Sequence, residues 1–151
     1  MKAVTYLAVL ALSATALVSN AFAAPPKGWS DDLDKALEKA KAENKAVLVE
    51  FTGSDWCQPC KMMRAEVFSK PEFLDAASKN FILVEIDLPN DKEVAKKNQP
   101  IAEKYKIDGF PTVILLDPAG KEFGRFHAAK YAKIEAFLKR LDSDLDKKDL
   151  D

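Results

Sequence analysis

Apolar residues along the chain occur in two patterns, short continuous runs and longer stretches with helical spacing, and their order predicts an α/β fold. Continuous runs of about six apolar residues are typical of buried strands, whereas apolar residues three and four positions apart are typical of helices. Strands are predicted over 46–51, 81–86, 112–116 and 121–127. Helices are predicted over 31–43, 57–68, 72–79, 92–105 and 130–141.

Local signals refine the ends of these elements. Ser30 is predicted to cap the first helix, and the spacing of Ser69 and Glu72 predicts a capping box at the start of another. Pro100 is expected to kink or split the helix that contains it, because proline removes a backbone donor. The Asp117–Gly120 stretch predicts a hairpin turn between the last two strands.

The two ends of the chain differ in composition from the middle. Lys2, an apolar run over 3–18 and the small residues of 21–23 predict a secretory signal that is cleaved after Ala23. An uncleaved membrane anchor is the alternative, but the run is shorter than the ~20 residues of a spanning helix. We expect a linker over 24–29, one domain over 30–141, and a frayed or disordered acidic tail over 142–151, with partner binding as that tail's alternative role.

The overall charge excludes one class of partner. The chain has 23 basic and 24 acidic residues and a formal net charge of −1. Because no basic surplus exists to neutralise phosphates, nucleic-acid binding is not expected.

Cys57 and Cys60 are the only two cysteines, and they admit three interpretations. A purely structural disulfide is the weakest, because so short a loop restrains the unfolded chain little. A metal site is the second: structural zinc needs four ligands, but copper could use both thiolates and His127, the only histidine. A redox pair is the third.

The redox interpretation explains most of the neighbouring residues. Cys57 lies where a helix begins, and a helix N-terminus lowers the pKa of a cysteine thiol, so we expect Cys57 to be the exposed nucleophile. Cys60, one turn later and less exposed, would resolve the mixed disulfide. Pro59 fits the first helical turn. Trp56 offers an apolar contact surface beside the nucleophile, although plain core packing is its alternative role.

The sequence W-C-Q-P-C-K of residues 56–61, following an apolar strand, resembles the thioredoxin superfamily. The stretches Gly109–Thr112 and Asp117–Lys121 are similar to the family's cis-proline loop and following hairpin, so that the resemblance covers 30–141. The T-G-S-D-W-C loop and the insert before Pro100 are similar to secreted bacterial members and to the periplasmic C-terminal domain of DsbD-type reductant transporters.

The resemblance implies a thioredoxin fold, with a central mixed β-sheet flanked by helices. It implies that Cys57 attacks, that Cys60 resolves, and that Phe110 and a cis Pro111 bind a substrate strand beside the cysteines. It also implies that Glu50 is the buried acid that moves a proton for Cys60. A lone carboxylate in an apolar strand should have a raised pKa, which suits this role, although a strand-end acid reaching solvent is the alternative.

Several residues depart from the family pattern. The lysine that the resemblance places near the buried acid has no counterpart in 81–86. His127 replaces an expected glycine, and we expect it to be a simple surface residue rather than part of the substrate groove. Gln58 replaces a small residue, which predicts an altered reduction potential.

These features together predict a periplasmic or secreted thiol–disulfide oxidoreductase, with a reductase or an isomerase favoured. A disulfide-donating oxidase and a copper-delivery module that uses Cys57, Cys60 and His127 are the alternatives. No dissociable cofactor is expected, because the two sulfurs carry the electrons. The expected partners are cysteine-containing proteins and a membrane redox protein that supplies electrons, and the chain is expected to be a monomer.

Overall fold

The computed structural model describes residues 24–150. Within this range four strands form one mixed sheet in the order β2-β1-β3-β4. β1 is parallel to β2 and antiparallel to β3, which is antiparallel to β4. The strands are β1 (Ala46–Thr52), β2 (Phe81–Asp87), β3 (Thr112–Leu116) and β4 (Glu122–His127). The α-helices are α1 (Leu33–Glu43), α2 (Gln58–Met63), α3 (Pro71–Ala77), α4 (Lys92–Lys104) and α5 (Ile134–Lys148).

Alternation along the strands divides the apolar residues between two cores, because successive side chains of a strand point to opposite faces. Val47 and Val49 point to the core beneath α1 and α4, which both contact β2. Leu48 and Val113 point to the other core, where Met63 and Phe137 pack from the helices. The sheet is therefore buried on both faces, as its continuous apolar strands predict.

The predicted order of strands and helices is confirmed, whereas a split at Pro100 and the predicted capping box are wrong. Helix α4 runs without interruption through Pro100, so the proline does not split it. Helix α3 begins at Pro71, and the residue that caps it, Lys70, makes no side-chain capping bond, so no capping box forms between Ser69 and Glu72. A π-helical turn over Arg64–Phe68 instead fills the space between α2 and α3.

The first helix is also capped differently from the prediction. Asp32 caps α1, because its side chain accepts a hydrogen bond from the backbone N–H of Lys35. Ser30 instead forms a parallel bridge to Val84, in which its N–H donates to the carbonyl of Leu83 and its own carbonyl accepts from the N–H of Glu85. The segment before α1 therefore lies along the outer edge of β2.

The end of the domain lies later than predicted. Helix α5 continues to Lys148, so the predicted frayed tail is wrong for 142–148. Asp144 is only 4% exposed and accepts a hydrogen bond at 2.8 Å from Nε of Arg140. Arg140 also lies over the Phe126 ring and donates to the Tyr131 hydroxyl. Composition alone was misleading here, because the acidic stretch keeps its i,i+4 ion pair on the buried side of a helix.

The predicted signal segment, 1–23, lies outside the described residues. Over 24–150, none of the helices combines the length and the apolar character that crossing a membrane would require.

Candidate active site

The two cysteines lie at the start of helix α2 and are joined as a disulfide, with their Cα atoms 5.3 Å apart. Cys57 is the N-cap residue, and its Sγ accepts a hydrogen bond at 3.3 Å from the backbone N–H of Cys60. Pro59 occupies the first turn, where its missing N–H leaves no bond unmade. The helix begins at the position that the sequence predicts.

The exposure of Cys57 differs from the prediction. Cys57 is only 5% exposed and Cys60 is 1% exposed, so both are buried in this disulfide form. Cys57 is nevertheless the more exposed of the two, as predicted. The reason is that the bond ties the Cys57 sulfur to Cys60, which lies with Met63 on the buried side of α2. The prediction of an exposed Cys57 is wrong for the oxidised protein.

Trp56 is 46% exposed, so core packing does not account for it. Its indole Nε1 donates to the Leu88 carbonyl at 2.8 Å, and its ring lies edge-to-face with Phe110, with centroids 5.5 Å apart. The indole packs so closely over Gly53 that a Cβ at that position would lie 2.3 Å from Trp56 Cε2. An aromatic pair with an exposed indole, held in one orientation, therefore lies beside Cys57.

The loop before β3 completes this surface. The Phe110–Pro111 peptide bond is cis, Pro111 is buried, and Phe110 is half-buried. The Thr112 hydroxyl donates to the Gly109 carbonyl at 2.8 Å. His127 is exposed, and its Nε2 donates to the Phe110 carbonyl at 3.1 Å. His127 is thus more than a simple surface residue, because it contacts the backbone that the resemblance assigns to substrate.

The contacts of His127 also bear on the copper alternative. Its Nε2 is directed to a carbonyl, and the two sulfurs are bonded to one another. Nowhere in 24–150 are three or more His, Cys, Asp or Glu side chains grouped so that they could hold a metal ion. In this oxidised form, Cys57, Cys60 and His127 therefore do not form a ligand group.

Glu50 is a buried carboxyl in the central strand β1. It is 1% exposed, and its Oε1 has no hydrogen-bond partner. Burial raises the pKa of Glu50 well above its usual range, and the nearby Glu85 raises it further. The alternative of a strand-end acid that reaches solvent is wrong. Glu50 lies two residues after Leu48 in the strand, so the two side chains leave the same face of the sheet. This is the face on which Met63 of helix α2 packs.

Sequence reasoning missed a second buried acid, Glu85. It is the Cα partner of Glu50 in the parallel pair of β1 and β2, and it is 4% exposed. Nη2 of Arg64 lies 3.0 Å from Glu85 Oε1. Burial is the main cause that raises the pKa of Glu85 to about 7, and Arg64 opposes this shift. The signal was visible in the sequence, since A-V-L-V-E-F and F-I-L-V-E-I both have an acid at the fifth position.

Hydrogen bonds from loop to strand fix the approach to Cys57. The backbone N–H of Ser54 donates to the Asp87 carboxylate at 2.9 Å, and the hydroxyl of Ser54 bonds to the same group. The Asp55 carboxylate accepts from the backbone N–H of Asn90. The polar residues of this loop therefore anchor it to the end of β2.

Comparison with known proteins gives consistent matches. The family model of the thioredoxin-like domain matches residues 33–143. Disulfide bond reductase DsbH of Chlamydia pneumoniae is 34% identical over 115 residues, which cover 70% of this chain and 69% of that protein. The solved structure of a DsbH oxidoreductase has a TM-score of 0.59 at 30% identity, and the match covers 80% of this chain and 94% of that one.

A third match is to part of a longer protein. Thiol:disulfide interchange protein DsbD 2 of Pseudomonas aeruginosa is 34% identical over 91 residues, which cover 60% of this chain but 15% of that protein. This similarity therefore concerns one segment of the relative and not its other parts. Since the family model covers the sheet, the disulfide and the Pro111 loop together, the chain belongs to the thioredoxin-like domain family.

Proposed function

We propose that this chain reduces or isomerises disulfides in proteins, with Cys57 as the attacking residue and Cys60 as the resolving residue. The observation that carries the proposal is the disulfide between Cys57, the N-cap of α2, and Cys60, beside an exposed aromatic pair. A disulfide closed over three residues stabilises a fold little, so its chemistry is the better reason for its presence.

The reaction begins with both cysteines reduced. The Cys57 thiolate attacks one sulfur of a substrate disulfide, and the other substrate sulfur leaves as a thiolate that takes up a proton. Cys60 then loses its proton and attacks the Cys57 sulfur, which releases the second substrate thiolate. The substrate gains two electrons and two protons, and the protein is left with the Cys57–Cys60 disulfide.

Glu50 is the group that we assign to the proton of Cys60. It points to the sheet face that α2 covers, and its raised pKa lets it hold a proton well above the pH at which an ordinary glutamate ionises. A carboxylate with an ordinary pKa would remain ionised and could not return the proton when the disulfide is reduced again.

Trp56, Phe110 and Pro111 form the surface that we assign to substrate. The exposed indole and the half-buried Phe110 ring offer apolar contact beside the sulfurs. The backbone of the Pro111 loop offers hydrogen-bonding groups to an extended substrate segment, a form of strand addition. His127 already donates to one of these groups, the Phe110 carbonyl.

Location and partners follow from the predicted signal segment and from the chemistry. A chain exported by residues 1–23 would act in the periplasm or outside the cell, where disulfides persist. A reductase there needs a renewed supply of electrons, so the partner that we propose is a membrane protein that exchanges thiols with Cys57. The similarity to a disulfide bond reductase supports reduction over oxidation. We also propose that the protein acts as a monomer.

The roles of the two cysteines are tested by trapping substrates. Cys60→Ala should accumulate mixed disulfides with periplasmic proteins, because the resolving thiol is missing, and non-reducing gels would reveal them. Cys57→Ala is the matched control and should trap nothing. Trapping by Cys57→Ala alone would reverse the assignment. The equilibrium reduction potential against glutathione then separates a reductase from an oxidase.

A further inference from the structure

Glu50 and Glu85 are adjacent buried carboxyls, and only one of them has a cationic partner. They are Cα partners in parallel strands, so their side chains leave the same face of the sheet. Glu85 Oε1 accepts from Arg64, whereas Glu50 Oε1 has no partner. Two carboxylates in one buried site do not ionise independently, so the charge on one must affect the proton affinity of the other.

Glu85 is also the member of the pair that adjoins water. It lines a cavity of about 420 Å³ at the edge of β2. Arg64 Nη2, which binds Glu85, also donates to the Ala24 carbonyl at 3.1 Å, so the N-terminal segment lies over the same site. Glu50 is not among the residues that line this cavity. A proton can therefore reach Glu85 from solvent more directly than it can reach Glu50.

Several elements pack around Glu50 and Glu85, and most of them place a charged group near the pair. β1 contributes Glu50, the π-helical turn contributes Arg64, β2 itself contributes Asp87, and the segment before α1 contributes Asp31. Across Glu50 on its other side, β3 contributes the uncharged Val113. The cavity has further charged groups at its rim: Asp55, Asp91 and Lys97. Arg64 is thus the one cation in direct contact with the pair among residues 24–150.

We propose that Glu85 is a positioning residue of the redox site, whose charge acts through Glu50 to set the pH range over which Glu50 can give a proton to Cys60. The proposal rests on the role assigned to Glu50 under the proposed function. While Glu85 is ionised, its negative charge keeps Glu50 protonated to higher pH, so Glu50 remains a proton donor. Arg64 acts in the opposite direction, because its positive charge favours the ionised forms of both acids.

The step that reports on Glu50 is reduction of the disulfide by dithiothreitol. A dithiothreitol thiolate attacks the Cys57 sulfur, the S–S bond breaks, and the Cys60 sulfur leaves with the electron pair. Glu50 gives its proton to that sulfur. The second dithiothreitol thiol then closes its own disulfide and releases Cys57. The concentration of dithiothreitol thiolate itself rises with pH, so the measured rate is divided by that concentration. The resulting rate constant should fall at the pH where Glu50 loses its proton.

The experiment measures this rate from pH 5 to 10 in the full mature chain. Glu85→Gln keeps the size of the side chain and its acceptor for Arg64 but removes the charge. We expect the midpoint of this pH profile to lie about one unit lower in the variant than in the wild type, which is the coupling typical of such pairs. At pH values between the two midpoints, the rate constant of the variant should be up to about tenfold lower than that of the wild type. Arg64→Lys keeps the positive charge beside the pair and should leave the midpoint unchanged.

The matched control is Glu66→Gln, which removes an equal charge from an exposed position two residues beyond Arg64. Its profile should equal that of the wild type. If Glu85→Gln also equals the wild type, the proposal for Glu85 is overturned. If Glu50→Gln keeps the wild-type profile, the role of Glu50 itself is wrong. Should Glu85→Gln fail to fold, Glu85→Met removes the same charge with a side chain of similar length, and a wild-type profile in that variant would overturn the proposal equally.

Discussion

The free energy of unfolding should fall as pH rises through the neutral range, and Glu85 should be a main cause. The folded-state pKa of Glu85 is raised from 4.5 to about 7, because burial disfavours its charged form more than Arg64 favours it. Between these two values the folded protein binds more protons than the unfolded chain does. Stability is therefore fully present below pH 4.5 and is lost as pH rises to about 7.

The size of this loss follows from the shift. Each pKa unit corresponds to ~1.36 kcal/mol, so the shift of Glu85 corresponds to about 3 kcal/mol between pH 4.5 and 8. The side chain is only 4% exposed, so solvent screening reduces this value little. Glu50, whose pKa is raised as well, adds a loss of the same sign as pH rises above the usual pKa of a glutamate.

Urea unfolding of the oxidised protein at pH 5 and pH 8 measures the effect. The wild type should lose about 2.5 kcal/mol more between these two values than Glu85→Gln, whose amide does not ionise, because a small part of the loss already lies below pH 5. Glu66→Gln serves as the control, because it removes an equal charge from an exposed position. Equal losses in the wild type and Glu85→Gln would refute the claim that Glu85 ionises at an unusual pH.

Two further predictions concern packing. Gly53→Ala should displace the Trp56 indole from its hydrogen bond to the Leu88 carbonyl, since the new Cβ would lie 2.3 Å from the ring, and should lower the free energy of unfolding by about 1–3 kcal/mol. Unchanged tryptophan fluorescence and unchanged stability in urea would contradict this. Asp144→Ala should cost about 1–3 kcal/mol by removing the carboxylate that Arg140 binds, and Asp144→Asn should cost less. Equal melting temperatures for all three proteins would show that the ion pair contributes nothing.

The main elements of the fold could be predicted from the sequence because each depends on a local pattern. The strands that carry Glu50 and Glu85 are continuous apolar runs, and the helix that carries the cysteines begins at a recognisable boundary. Features that depend on tertiary contacts could not be predicted in this way. Composition marked 142–148 as frayed or disordered, yet α5 continues there, because Arg140 holds Asp144 and also lies over the Phe126 ring of β4.

In the candidate site too, some residues are predictable from the local sequence and others only from tertiary contacts. Cys57 and Cys60 were identifiable from spacing, and Glu50 from its position in an apolar strand. Glu85 had an identical local signal, but its significance depends on the register of β1 against β2, which places it beside Glu50. The contact of His127 with the Phe110 carbonyl likewise requires the pairing of β3 with β4 to be known.

The bridge between Ser30 and Val84 has a consequence for self-association. β2 is an edge strand, and an edge with free N–H and C=O groups is a template on which another chain can add a strand. Here the Leu83 carbonyl and the Glu85 N–H are already bonded to Ser30. At the opposite edge, the Arg140 guanidinium donates to the Arg125 carbonyl of β4. Both margins of the sheet thus carry an internal partner, which protects the protein against growth of intermolecular β-sheet.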